Sequence, residues 1–174
     1  MKRSAFLKAA CAALPAVVFS SCSSTPPSSP GTPWPPAAFK TVRAFVYDCE
    51  AEHGVNFFQS HGRMHKGVLN APGALLSPSQ VHRLLSDANA GKPLDKRKPC
   101  YVPHHAFVFY DAAEKPVATL EICFTCRRFI ATPPGLPVQI GYETPWAILK
   151  ELNVPADRNQ GYYRELYKKQ HAKP

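Results

Sequence analysis

Three cysteines and two histidines crowd into one short region of this chain: Cys100-Tyr-Val-Pro-His104-His105, and then Cys123-Phe-Thr-Cys126. Thiols and imidazoles in this pattern support three kinds of chemistry. For a metal, Cys100, His105, Cys123 and Cys126 make a Cys3His set suited to tetrahedral zinc, with His104 as the alternate histidine. Cys-x-x-Cys brings two thiolates to one ion from a single turn. For redox exchange, Cys123 and Cys126 form the pair, with Arg127 and Arg128 favouring a thiolate. For a covalent staple, Cys49 joins Cys100, Cys123 and Cys126 in an even set of four with three possible connectivities. One of them is Cys100–Cys126 with Cys49–Cys123. Haem attachment through Cys-x-x-Cys-His is excluded, because position 127 is Arg.

A hairpin must position this cluster. His105–Tyr110 and Pro116–Cys123 read as strands joined by the polar loop Asp111–Lys115. Placing Tyr110 opposite Pro116 puts Phe109 opposite Val117 and His104 opposite Ile122, and projects Cys100 towards Cys126. In that register His104, Ala106 and Val108 share a face with Ala118, Leu120 and Ile122. Phe107 and Phe109 share the other with Val117, Thr119, Glu121 and Cys123. Both faces carry large apolar residues, so the hairpin should be central and covered on both sides.

The flanking segments give the fold class. Thr41–Cys49 reads as a first strand, with shorter candidates at Gly54–Ser60 and Gly67–Asn70. Ser77-Pro78-Ser79-Gln80 is a helix start with Ser77 as N-cap and Gln80 closing a capping box. Val81, Leu84, Leu85 and Ala88 then share one helical face, and Gly91 and Pro93 should stop it. Arg128–Ala131 should extend the sheet. Thr144–Leu152 and Asn159–His171 read as two further helices. The expectation is a single α+β domain over residues 39–174, built on a small, mainly antiparallel sheet with two to three helices.

The N-terminus speaks to location. Lys2, Arg3 and Lys8 precede a short apolar stretch, Ala9–Phe19, that ends in Phe19-Ser20-Ser21-Cys22. This resembles the signal and lipobox of bacterial lipoproteins. The resemblance implies a signal over residues 1–21 and acylation of Cys22 as the first mature residue. It implies a lipid-anchored protein of the cell envelope. Ser at position 23 implies the outer membrane rather than the inner one. Residues 22–38 carry Pro26, Pro27, Pro30, Pro33, Pro35 and Pro36 among Ser, Thr and Gly, the composition of an extended tether. Trp34 is its only large apolar side chain. It reads as packed loosely on the domain edge, or else as an interfacial anchor.

Composition narrows the function classes. The precursor carries 21 basic and 12 acidic residues, a net of +9. Removing Lys2, Arg3 and Lys8 leaves 18 against 12, a mature net of +6. That excess suits anionic lipid, phosphate or a polyanionic glycan as readily as it suits plain solubility. No nucleic-acid motif, Gly-rich phosphate loop, Gly-x-Ser-x-Gly elbow or His-Glu-x-x-His is present, so binding is expected in preference to catalysis. His53, His61 and His65 could form a second metal set but read better as exposed loop histidines.

Cys100, Pro103, His105, Ala106, Phe109–Asp111, Lys115–Ala118 and Ile122–Cys126 together resemble a motif of small bacterial proteins without an assigned activity. The resemblance implies a recurring module and points to His105 over His104 as the paired histidine. The leading expectation is therefore a lipid-anchored metal- or ligand-binding module with an unknown envelope partner. A disulfide-stapled interaction domain and a thiol redox protein stand as the alternatives.

Overall fold

The computed structural model describes residues 33–90, 100–135 and 140–172. The elements in chain order are β1 (Thr41–Val46), β2 (Ala74–Leu75), α1 (Pro78–Asn89), β3 (His105–Tyr110), β4 (Pro116–Cys123), β5 (Arg128–Thr132), α2 (Glu143–Glu151) and α3 (Gln160–His171). The strands form one five-stranded sheet in the order β2-β1-β3-β4-β5, and every ladder is antiparallel. The fold is α+β. No helix among the described residues is long and apolar enough to cross a membrane. Cys22 and the N-terminal signal lie outside the described residues, as do Gly91 and Pro93.

All six residues of β3 are buried, because both faces of the sheet are covered. On one face Val42, Ala44, Val46, Phe107, Phe109, Leu120 and Ile122 pack beneath Leu84 and Ala88 of α1 and Ile148 and Leu149 of α2. On the other, Phe45, Tyr47, Ala106, Val108 and Tyr110 pack against Phe57.

The register differs from expectation by one residue. Tyr110 does oppose Pro116, but the ladder shifts between Phe109 and Tyr110. Beyond the shift Phe109 faces Ala118, Phe107 faces Leu120 and His105 faces Ile122. A bulge adds one residue to one strand and so exchanges the faces of everything past it. Phe107 and Phe109 therefore lie on the helix side with Ala118, Leu120 and Ile122. Ala106 opposes Glu121 on the other side.

Helix α1 starts as its sequence dictates. Ser77 Oγ accepts from the Gln80 N–H at 3.3 Å, and Gln80 Oε1 accepts from the Ser77 N–H at 2.9 Å. Gln80 Nε2 also donates to Glu151 at 3.0 Å, and Arg83 pairs with the same carboxylate, so the cap residue helps tie α1 to α2.

The segment from Asp48 to Gly73 covers the second face without forming the two expected strands. It makes only isolated bridges, Tyr47 with Val68 and Phe58 with Met64. Side chains take over the ladder's work. Asn70 Oδ1 accepts from the Val46 N–H at 2.9 Å, and its Nδ2 donates to Ala44 O at 3.1 Å. His65 is 2% exposed, which corrects its reading as an exposed loop histidine. Its Nδ1 accepts from the Gly67 N–H at 3.0 Å, so Nε2 carries the proton and donates to Gly54 O at 3.1 Å. Gly67 is required here: a Cβ would stand 2.0 Å from Asp48 O.

Trp34 is a core residue rather than a loose edge contact, at 2% exposure. Its indole meets Phe109 edge to face at 5.1 Å and donates from Nε1 to Pro133 O at 2.8 Å. Its backbone exchanges hydrogen bonds with the Asn89 side chain, both at 2.9 Å. The packed body thus includes a residue from the stretch read as tether.

Candidate functional site

The Cys/His end of the β3–β4 hairpin is assembled from four segments. β4 ends at Cys123, the turn Phe124–Arg127 reverses the chain, and β5 begins at Arg128, which pairs with Cys123. Arg127 closes the turn at φ 50°. Cys126, fully buried in this turn, is joined to Cys100 by a disulfide with Cα atoms 5.7 Å apart. The turn is held from other sides as well. The Cys126 N–H donates to Cys123 Sγ at 3.3 Å, and Thr125 Oγ1 donates to Arg158 O at 2.7 Å. Arg128 lies over the Tyr101 ring at 5.6 Å and donates to Cys100 O at 3.4 Å.

The proposed zinc ligands do not converge as a set. Cys100 and Cys126 are bonded to each other, which removes two of the four donors. No group of three or more His, Cys, Asp or Glu among the described residues is placed to hold a metal ion. His53 and His61 sit exposed in the Asp48–Gly73 segment, so the second histidine set does not assemble either. Cys49 and Cys123 are free thiols, each 1% exposed, so of the connectivity Cys100–Cys126 with Cys49–Cys123 only the first bridge is formed. Burial, reinforced by Asp48 and Glu50, pushes the Cys49 thiol up to about 12, which leaves it protonated and a poor nucleophile. A thioredoxin-like pair needs Cys123 bonded to Cys126 and a helix after it. Here Cys126 is bonded to Cys100 and a strand follows.

Both hairpin histidines are buried and neutral. Burial pushes His105 down to about 3 and lowers His104. His105 Nε2 donates to Pro155 O at 2.9 Å, and its ring meets Phe124 at 5.2 Å and Tyr163 at 5.4 Å. His104 Nδ1 donates to Tyr47 O at 3.0 Å, and its ring stacks on Tyr163 at 4.0 Å. They act as posts that dock α3 and the Pro155 segment onto the hairpin end.

The stapled turn borders a cleft of about 470 Å3. Phe124, Thr125 and Arg127 come from the turn, Tyr142, Glu143 and Trp146 from the start of α2, and Arg158 from the segment before α3. Phe124 packs on Trp146 at 4.9 Å and 79° and on Tyr142 at 6.4 Å and 74°. Arg158 lies 5.6 Å from the Trp146 ring centre and Lys150 Nζ lies 5.5 Å from it. Aromatic walls with cations held over the Trp146 ring suit a ligand that has apolar surface and negative charge.

The sequence reading found the staple's two ends but not this cleft. The available signal was the pair of large side chains, Phe124 and Arg127, placed inside and just after a Cys-x-x-Cys that fixes their turn. Comparison with known proteins returns no match for this chain among family models, curated proteins or solved structures.

Proposed function

We propose that this chain is a lipid-anchored protein of the cell envelope whose domain is a disulfide-stapled, small-ligand binding module. The observation that carries the reading is the Cys100–Cys126 bond, which pins a turn whose Phe124 and Arg127 wall a cleft. A crosslink of this kind persists in an oxidising compartment, where the N-terminal signal would deliver the protein. Acylation at Cys22 would hold it at the membrane, the outer one by the residue at position 23. Residues 23–33 would then act as the spacer between lipid and core. Two of the three cysteines that the zinc set would need are engaged in the staple, so the reading is built without a metal.

Two measurements on the full chain test this. Expressed in a didermic bacterium fed labelled palmitate, the protein should incorporate label, and Cys22→Ala should abolish incorporation. Alkylation of the mature protein under denaturing, non-reducing conditions should modify Cys49 and Cys123 alone. Four modified thiols in the domain, with one zinc per chain before denaturation, would overturn the staple and restore the Cys3His reading.

A further inference from the structure

We infer that the cleft between the stapled turn and α2 binds a small ring-bearing carboxylate, with an acidic sugar as the best fit. The inference rests on the reading of the domain as a binding module and names the ligand class of that same site. The aromatic lining sets the first requirement. Phe124 stands at 79° to Trp146 and 74° to Tyr142, so apolar ring surface is offered in more than one direction. A ligand ring gains from such walls through its C–H or π faces.

Charge sets the second requirement. Arg127 and Arg158 reach the cleft from two different segments, and Arg158 lies over the Trp146 ring. A guanidinium is a planar fork that matches a carboxylate through two parallel hydrogen bonds. Trp146 holds that guanidinium over its ring, so a ligand ring lodged against Phe124 and Tyr142 would turn its carboxylate towards the fork.

The third requirement comes from Glu143, which lines the cleft together with the hydroxyl-bearing Thr125 and Tyr142. A carboxylate accepts from hydroxyls, which a sugar acid has and a simple aromatic acid lacks. A volume of about 470 Å3 suits one or two sugar rings. An amphipathic helix would require a continuous apolar groove, and here charged side chains interrupt the rings.

The test is calorimetric titration of the full-length lipidated protein in detergent with four probes: trigalacturonate, neutral cellotriose, phenylacetate and inorganic phosphate. Trigalacturonate should bind at least tenfold more tightly than cellotriose or phosphate. Arg158→Ala should weaken that binding roughly 10- to 100-fold, the loss expected for a hydrogen bond to a charged group. Trp146→Ala should weaken it to a similar extent, with Trp146→Phe retaining part of the affinity. Phenylacetate binding better than trigalacturonate, and lost in Arg158→Ala, would keep the ring-and-carboxylate chemistry and assign it to an aromatic acid. The inference is overturned by binding of none of the probes, by cellotriose or phosphate binding as tightly as the carboxylates, or by Arg158→Ala binding like the parent. The thiol count decides the staple separately: four thiols with carboxylate binding intact would remove the stapled reading and leave this inference standing.

Discussion

Replacing Cys100 and Cys126 together by serine should cost the domain about 3.5 kcal/mol. The figure follows from the loop that the bond closes. The two cysteines are 26 residues apart, and a crosslink over that length removes roughly 12 cal/mol/K from the unfolded chain's entropy. The folded state should change little, because the turn keeps its Thr125–Arg158 and Cys126–Cys123 hydrogen bonds. Urea unfolding followed by tryptophan fluorescence reads the loss as a lower midpoint with a steeper slope, because the unbridged unfolded chain exposes more surface, and thermal unfolding should fall by roughly 10 °C. Reducing agent should reproduce most of the loss in the parent protein and add nothing to the double variant. A loss below about 1 kcal/mol, or equal reducing-agent sensitivity in both proteins, would refute the argument that this bond restrains the unfolded chain.

Glu121 makes a second case. Burial pushes its carboxyl up to about 7, partly countered by hydrogen bonds from the Phe57 N–H and the Tyr47 hydroxyl. The folded chain therefore keeps a proton that the unfolded chain releases near pH 4.5, so this group's contribution to stability falls as pH rises between about 4.5 and 7. Glu121→Gln should flatten that decline and, above pH 7, be more stable than the parent by urea titration; a decline of equal size in the variant would sink the assignment. Trp34→Ala should cost about 3–5 kcal/mol by thermal or urea unfolding, as a fully buried aromatic that also loses its bond to Pro133; a change under 1 kcal/mol would return Trp34 to the tether. Ser77→Ala should cost about 1 kcal/mol through loss of the capping box, and Ser77→Asp should recover most of it. Gly67→Ala should abolish cooperative unfolding or cost at least about 3 kcal/mol, since its Cβ would overlap Asp48 O; a soluble variant of parental stability would contradict that contact.

What the sequence disclosed was local chemistry. The strands His105–Tyr110 and Pro116–Cys123 are legible because their residues favour a pleated, buried surface and a polar loop divides them. The start of α1 is legible because Ser77, Pro78 and Gln80 each satisfy a specific backbone group. The meeting of Cys100 and Cys126 was legible too, even though the assumed register was off by one. Both cysteines lie beyond the paired strand residues, where a one-residue shift matters little. The bulge at Phe109 was not legible, because Val117 is apolar and suits either face. The covering segment was misread because Asn70 and His65 replace ladder bonds with side-chain bonds, and such substitutions leave no periodicity. The cleft was invisible for a different reason. Trp146 and Arg158 approach Phe124 only through the docking of α2 on the sheet and of the Pro155 segment and α3 on the buried His104 and His105 rings. The zinc expectation counted donors correctly but could not see that two of them bond to each other.

Trp34 leads into Thr41 at one end of the sheet, beside Tyr110, whereas the cleft turn Phe124–Arg127 lies at the opposite end, past Ile122 and His105. Suppose the chain is held by its N-terminal side and something large grips the cleft. The pull then runs parallel to the strands. Hydrogen bonds between β1, β3 and β4 would be loaded together in shear rather than peeled apart singly. A sheet strung in this direction resists tension far better than one pulled across its strands, and the staple would spread the pull at its far end over the Cys100 segment as well as β4.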